Sequence, residues 1–431
     1  MVLSSLYKDK LTTFEKALMT VKSGNQIYIH PGCATPQSLV EALGARRDDL
    51  FDVKIFHILT FGAAPYVEEG NEGHFRHIAL FAGSNVRKAI AEGRADWMPI
   101  HLHEIPKLWY TGRIKLDVAL IHCSPPDEHG FVSLGVDIGT TLSAVRCARK
   151  VIAQVNPQMP RTLGDSFVHL SKINYIVEVD EPIVEVPQAP EMTDVYREIG
   201  KVVADEIDDG ACLQMGIGAI PDAVLMFLRE KRNLGIHTEM FSDGVQALFE
   251  EGVINCEKKN IHTGKIVASF MMGTRKLYDF VHNNPVIEMH PTEYVNDPFI
   301  ISQNKNMISI NSAIAVDITG QICSDSIGKS IYSGFGGQVD FVRGATRSEG
   351  GKAIIALPSL AKDKSRIVPH LEPGAGIVTS RADADYVATE YGIVHLFGLN
   401  LRERAKALIS IAHPDHREAL EKEAALRNLR I

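Results

Sequence analysis

Short runs rich in Val and Ile alternate along the chain with stretches in which apolar residues return at helical spacing. In SGNQIYIHPGCATPQSLVEALGARR (Ser23 to Arg47) a turn leads into an apolar strand, a glycine loop, a proline and an amphipathic helix. KIFHILTFG (Lys54 to Gly62), LDVALIHC (Leu116 to Cys123), VIAQVNPQM (Val151 to Met159) and INYIVEVDEP (Ile173 to Pro182) read as further buried strands. DVYREIGKVVADEI (Asp194 to Ile207) reads as a helix, and so does the N-terminal MVLSSLYKDKLTTFEKAL. Strands without strict polar alternation, separated by helices, predict an α/β fold built on a mostly parallel sheet covered by helices.

The pattern occurs twice. DDGACLQMGIGAIPDAVLMFLREKR (Asp208 to Arg232) repeats the turn, strand, loop, proline and helix of the first segment, with Gly210 matching Gly24 and Pro221 matching Pro36. Both prolines fall where a helix begins and a missing N–H costs nothing. KIFHILTFGAAPYVEEG (Lys54 to Gly70) then aligns with GIHTEMFSDGVQALFEEG (Gly235 to Gly252), SNVRK (Ser84 to Lys88) with GTRK (Gly273 to Lys276), and LDVALIHCSPPDEHGFVSLG (Leu116 to Gly135) with INSAIAVDITGQICSDSIG (Ile310 to Gly328). Ordered matches of this kind mark an internal repeat. They predict two similar open α/β domains, residues 1–188 and 189–431, joined by a linker containing Pro182, Pro187 and Pro190.

Composition narrows the function. At 431 residues the chain exceeds a single ordinary core. A net charge of −8 argues against a nucleic-acid partner, and no apolar run reaches the length of a membrane span. The N-terminus lacks the pattern of a signal peptide. Cys33, Cys123, Cys147, Cys212, Cys256 and Cys323 form no CxxC pair, so reduced thiols in a cytoplasmic protein are expected, without metal or redox cofactor.

Four segments carry candidate chemistry. MGIGAIP (Met215 to Pro221) resembles a dinucleotide loop, but Pro221 stands where the third glycine belongs. It remains either a plain strand-to-helix turn or a loop that lets a ligand approach at a helix start. TEMFSDG (Thr238 to Gly244) places Glu239 at the carboxyl end of a strand, where ligands of parallel sheets bind; an exposed strand-end carboxylate is the alternative. YSGFGGQVDFVRGATRSEGGK (Tyr332 to Lys352) offers the amides of Gly336 and Gly337 to an anion or oxyanion, with Arg343, Arg347 and Lys352 following, or forms a solvated face. SPPDEHGFVSLG (Ser124 to Gly135) presents Asp127, Glu128 and His129 near HLHE (His101 to Glu104), but completes no metal-ligand spacing. GxSxG, HExxH and Walker A patterns are missing.

With these segments, with GCATPQ (Gly32 to Gln37) and with RADADYVATEYGIVHLFG (Arg381 to Gly398), the chain resembles class I CoA-transferases over nearly its whole length. Within them it is most similar to the acetyl-CoA hydrolase/transferase family, on the side of 4-hydroxybutyrate and butyryl-CoA:acetate CoA-transferases. The resemblance implies the NagB/RpiA-like CoA-transferase fold, a homodimer, and acyl-CoA and a short-chain carboxylate as substrates. It places the nucleophile on Glu239, and the CoA-contacting loops on Gly216, Ile217, Gly218, Ala219 and Ile220 and on Gly336 and Gly337. Ile314 and Lys362 would lie along the bound CoA, with Arg343, Lys352 and Lys362 as candidates for its phosphates. His30, beside the Gly32 loop, would face the acyl pocket or be packed.

The implied reaction is a ping-pong transfer through a glutamyl-CoA thioester, for which an ionised carboxylate needs no general base. Coenzyme A enters as a substrate. An acyl-CoA hydrolase using the same glutamate, an NAD-dependent dehydrogenase and a non-catalytic CoA sensor are the competing readings.

Overall fold

The computed structural model describes residues 2–186, 192–216 and 218–429. The chain packs into two units, one of Met1–Pro187 with Val267–Val295, the other of Gln188–Ile266 with Asn296–Ile431. The expected boundary between residues 188 and 189, with Pro187 and Pro190, lies outside the described residues.

The first unit is built on seven strands: β1 (Gln26–Ile29), β2 (Val53–His57), β3 (Phe75–Ala79), β4 (Asp96–Trp97), β5 (Val118–Cys123), β6 (Lys150–Val155) and β7 (Tyr175–Glu178). Their order is β4-β3-β2-β1-β5-β6-β7, and every neighbouring pair is parallel. Every residue of β5 is buried, as a strand covered on both faces requires. After β1, Pro36 leads into helix α1 (Gln37–Gly44), which buries Leu39, Val40 and Leu43.

The N-terminal segment departs from the single helix its periodicity predicts. Two helical stretches, Val2–Lys8 and Phe14–Leu18, are separated by residues that join the sheet instead. Thr12 donates its N–H to Ile176 O at 2.9 Å, and Ile176 donates to Lys10 O at 2.9 Å. The open edge of β7 thus takes backbone groups that a helix would otherwise have used, a nonlocal gain invisible to local periodicity.

In the second unit β8 (Cys212–Met215), β9 (Gly235–Ile236), β10 (Met307–Ser312), β11 (Lys352–Ala356), β12 (Tyr386–Thr389) and β13 (Gly392–His395) stand in the order β9-β8-β10-β11-β12-β13. All pairs are parallel except the β12–β13 hairpin. Helix α2 (Asp194–Asp205) starts under the side chain of Thr193, which accepts the N–H of Tyr196. It packs on α3 (Ala219–Phe227) so closely that a Cβ at Gly200 would sit 2.6 Å from the carbonyl carbon of Ala223. Helices α4 (Asp243–Glu250) and α5 (Gln338–Arg347) complete the frame around the site.

Candidate active site

In the second sheet β8 and β9 run side by side, so the segments that leave their carboxyl ends emerge together. β8 passes into Gly216, then through Ile217, which lies outside the described residues, to Gly218, Ala219 and Ile220 at the start of α3. Gly218 has φ +116°, which a side chain disfavours. Gly216 has no such φ, and a Cβ there would meet nothing within 4 Å. Its missing side chain leaves open space rather than relieving a clash.

β9 passes into His237, Thr238 and Glu239. His237 continues the ladder by donating to Leu213 O at 3.1 Å. Thr238 Oγ1 lies 3.1 Å from Met215 O and 2.8 Å from Met240 O, so its proton ties the segment to the end of β8. Glu239 therefore projects from a backbone clamped on both sides.

Three neighbours surround its carboxyl group. Asn296 Nδ2, on a fully buried side chain, donates to Glu239 Oε2 at 2.8 Å. The Gly337 amide, at the entry to α5, donates to the same carboxylate, and Asp340, in the first turn of α5, adds a like charge. A Cβ at Gly337 would overlap both Glu239 Oε2 and Asn296 Nδ2. Only glycine allows the amide so near.

Loss of hydration is the largest influence on Glu239 and pushes its pKa up to about 7; Asp340 pushes the same way, while the donors Asn296 and Gly337 hold it back. The residue as a whole is only half-buried, but the carboxyl end is its enclosed part. A carboxylate fully ionised at neutral pH, as expected from the ordinary range, is thus corrected to one that titrates near neutrality.

Gly336, with φ +53°, makes the turn that delivers the Gly337 amide. Ile314 donates its N–H to Cys323 O beside a small three-stranded sheet, and Lys362 is exposed at the turn between Leu360–Ala361 and Lys364–Ser365 with φ +55°.

The other basic candidates are engaged elsewhere. Arg343 pairs with Asp383 at 3.1 and 3.3 Å, and Lys352 pairs with Glu206 at 2.7 Å. Lys352 opens β11 and so stands at the amino edge of the sheet, opposite the edge that carries Glu239.

In the first unit both ring nitrogens of His30 are occupied: Nε2 lies 2.6 Å from Asp137 O, and Nδ1 accepts the N–H of His122 at 3.1 Å. Burial pushes its pKa down to about 4, so His30 is a packed, neutral histidine. Asp127 accepts the N–H groups of His129 and Phe131 and pairs with Arg161, which makes it a turn residue.

Asn296, Thr238 and Asp340 escaped the sequence reading. Thr238 and Asp340 lie inside the chosen motifs without having been assigned a part, whereas Asn296 lies between two short helices, Thr292–Val295 and Pro298–Ile301, where an asparagine reads as an ordinary turn.

The chain is 52% identical to the 4-hydroxybutyrate coenzyme A transferase of Clostridium kluyveri, over 97% of this chain and 98% of that one. It is also 52% identical to the succinyl-CoA:acetate/propanoyl-CoA:succinate CoA transferase of Fasciola hepatica, over 94% and 85%. The crystal structure of 4-hydroxybutyrate CoA-transferase from Porphyromonas gingivalis superposes with a TM-score of 0.85 at 41% identity, covering 98% of this chain and 99% of that one. The fold is that of the CoA-transferase enzymes. The acetyl-CoA hydrolase/transferase N-terminal domain matches residues 1–187 and its C-terminal domain residues 273–424. The chain belongs to the acetyl-CoA hydrolase/transferase family.

Proposed function

We propose that this enzyme transfers CoA between an acyl-CoA and a short-chain carboxylate, 4-hydroxybutyrate or butyrate with acetate, and that Glu239 is its nucleophile. The carrying observation is a desolvated carboxylate at the carboxyl edge of a parallel sheet, held by a side-chain amide and a glycine N–H. Ionised Glu239 attacks the thioester carbonyl, the C–S bond breaks, and an acyl-glutamyl anhydride forms with release of CoA thiolate. The thiolate adds to the glutamyl carbonyl, expels the first carboxylate and leaves a glutamyl-CoA thioester. The acceptor carboxylate attacks that thioester, giving a second anhydride and thiolate. Attack of the thiolate on the new acyl carbonyl yields the product acyl-CoA and frees Glu239. Charge passes from carboxylate to thiolate and back, so no proton has to be moved.

A raised pKa suits the step, because a poorly hydrated, more basic carboxylate is a better nucleophile than one in water. Asn296 Nδ2 and the Gly337 amide then face the oxygen of the glutamyl carbonyl, where charge develops in the two tetrahedral intermediates formed at that carbon, when thiolate adds to the first anhydride and when the acceptor adds to the glutamyl thioester. Gly336 acts through the turn. The open space at Gly216 and the left-handed Gly218 support a pantetheine path along residues 216–220, with Ile314 and Lys362 further along the CoA.

We also place a pseudo-repeat between domains 1–188 and 189–431. In support, Gly24 (φ +79°) and Gly210 (φ +78°) make the same turn before β1 and β8, and each of those strands is flanked by the next strand on one side and a later one on the other. No helix among the described residues is long and apolar enough to cross a membrane. A cytoplasmic homodimer is part of the proposal.

The test is intact-mass measurement after brief incubation with acetyl-CoA or butyryl-CoA, alongside CoA exchange into labelled acetate. A CoA-sized adduct and exchange are expected in the wild type and neither in Glu239→Gln; exchange surviving in that variant removes Glu239 from the mechanism. Thioester loss that does not depend on an added carboxylate would make the enzyme a hydrolase. Succinate as a competing acceptor tests the preference for a monocarboxylate over a dicarboxylate of the same chain length.

A further inference from the structure

The second sheet has a cavity at its other edge. A hollow of ≈ 380 Å³, lined by Thr346, Asp383, Asp385, Tyr386, His395 and Phe397 among others, opens where β12 begins and β13 ends. This is the amino edge of the parallel strands, opposite Glu239, so the cavity has no part in the site described above.

One wall is a run of flat rings. The His395 imidazole stacks on Tyr386 with centroids 4.2 Å apart and planes 8° apart, and Phe397 follows at 6.3 Å and 24°. Phe397 ends the run at 77% exposure, leaving a large aromatic face in water at the mouth of a cavity. The floor carries acceptors in fixed positions. Asp385 is held by the N–H of Ala353 at 3.0 Å and by His395 Nε2 at 2.9 Å, and Asp383 by Arg343 and by Ser380 Oγ at 2.8 Å. Each carboxylate keeps unused lone pairs, so the floor takes N–H donors rather than another anion. Arg347, exposed at the end of α5 and next in sequence to the lining residue Thr346, acts electrostatically on Asp383 and brings a positive charge near the cavity.

Stacking surface, acceptors in the floor and a cation nearby call for a planar heteroaromatic ring with amino groups and a tethered anion. We propose that this cavity is a second ligand site, for a purine nucleotide: its base stacks against Phe397 and His395, its amino group meets Asp383 or Asp385, and its phosphate lies at Arg347. The chemistry is shared by a free nucleotide and by the nucleotide end of a CoA molecule.

AMP is the probe, titrated by calorimetry into wild type, Phe397→Ala and Arg347→Ala, with adenosine and ribose 5-phosphate as controls. Both substituted side chains are exposed, so the variants keep the fold. AMP is expected to bind the wild type and to weaken about tenfold on loss of the stacking ring, the usual effect of removing an aromatic platform. Adenosine should bind less tightly than AMP, and Arg347→Ala should abolish that difference.

Stoichiometry with CoA separates the two sources. Two CoA per chain, falling to one in Phe397→Ala, assigns the cavity to a second CoA; one CoA per chain with AMP bound beside it assigns it to a free nucleotide. The proposal is overturned if AMP fails to bind at millimolar concentration, or binds wild type and Phe397→Ala alike. It is also overturned if one CoA per chain displaces all the AMP, or if Phe397→Ala changes only self-association.

Discussion

Gly337→Ala separates the chemistry of the site from the stability of the fold. The backbone at 337 has φ −99° and ψ 8°, which alanine adopts without strain. The added methyl would overlap Glu239 Oε2 and Asn296 Nδ2 and stand 3.1 Å from Glu239 Cδ. Those atoms end two rotatable side chains, so the protein relieves the overlap by swinging the carboxyl group and the amide aside. What is lost is their mutual position. Removal of a single donor from an oxyanion site typically costs about 2.7–4 kcal/mol, or roughly 10²–10³ in kcat. We expect a loss of that size in acyl-CoA:acetate exchange, with KM for acyl-CoA changed less than about threefold because the CoA path along residues 216–220 is untouched. The melting temperature should move by no more than about 3 °C, the shift that accompanies roughly 1 kcal/mol in a domain of this size. Steady-state kinetics and thermal unfolding on the same preparation decide it. Retention of kcat within about threefold of wild type would refute the placement of reaction at this carboxyl group, and a collapse in melting temperature would show that Gly337 serves the fold.

Since burial places the Glu239 pKa at about 7, kcat/KM should rise with pH through neutrality and level off above it, and a profile flat from pH 5 to about 8 would contradict the assignment. The same shift has a consequence for stability. The folded state holds a proton more tightly than the unfolded chain, so this contribution is fully present below the ordinary value of 4.5 and is lost as pH rises through about 7. Glu239→Gln should therefore gain on the wild type by up to about 3 kcal/mol in denaturant melts above neutrality, with the difference vanishing near pH 4. Asn296→Ala removes a donor that favours the ionised form, so the rising limb of its pH profile should move to higher pH and its plateau should fall by at least about tenfold. Thr238→Val should cost about 1–2 kcal/mol of stability, because the carbonyls of Met215 and Met240 lose the hydroxyl between them.

The architecture was legible where burial is continuous. VALIHC is buried along its length and apolar but for His122, as suits the strand β5 with a parallel partner on each side, and DVYREIGKVVADEI kept its helix because one face meets α3. Glu239 was legible for a related reason: an acid just beyond a strand in a parallel sheet lies at the edge where ligands collect. Asn296 was not, because only the tertiary course of the chain brings it to a carboxylate 57 positions earlier in sequence. Arg343 and Lys352 follow the glycine run in sequence, yet α5 carries the chain away from it and β11 starts at the far edge, so proximity in sequence misled. The N-terminal helix was misjudged because the edge of β7 competes for the backbone of residues 10–12.

Two glycines of the proposed reaction path differ in what an added methyl group would meet. At Gly337 the methyl would displace the protein's own groups, the carboxylate of Glu239 and the amide of Asn296. At Gly216 it would displace nothing in the folded chain, since the space a Cβ would enter is open. A set of side chains of increasing size at position 216 therefore serves as a ruler read by the ligand alone: the unliganded protein should not register it, and the first size that weakens CoA binding measures how closely the cofactor's thiol arm passes the backbone.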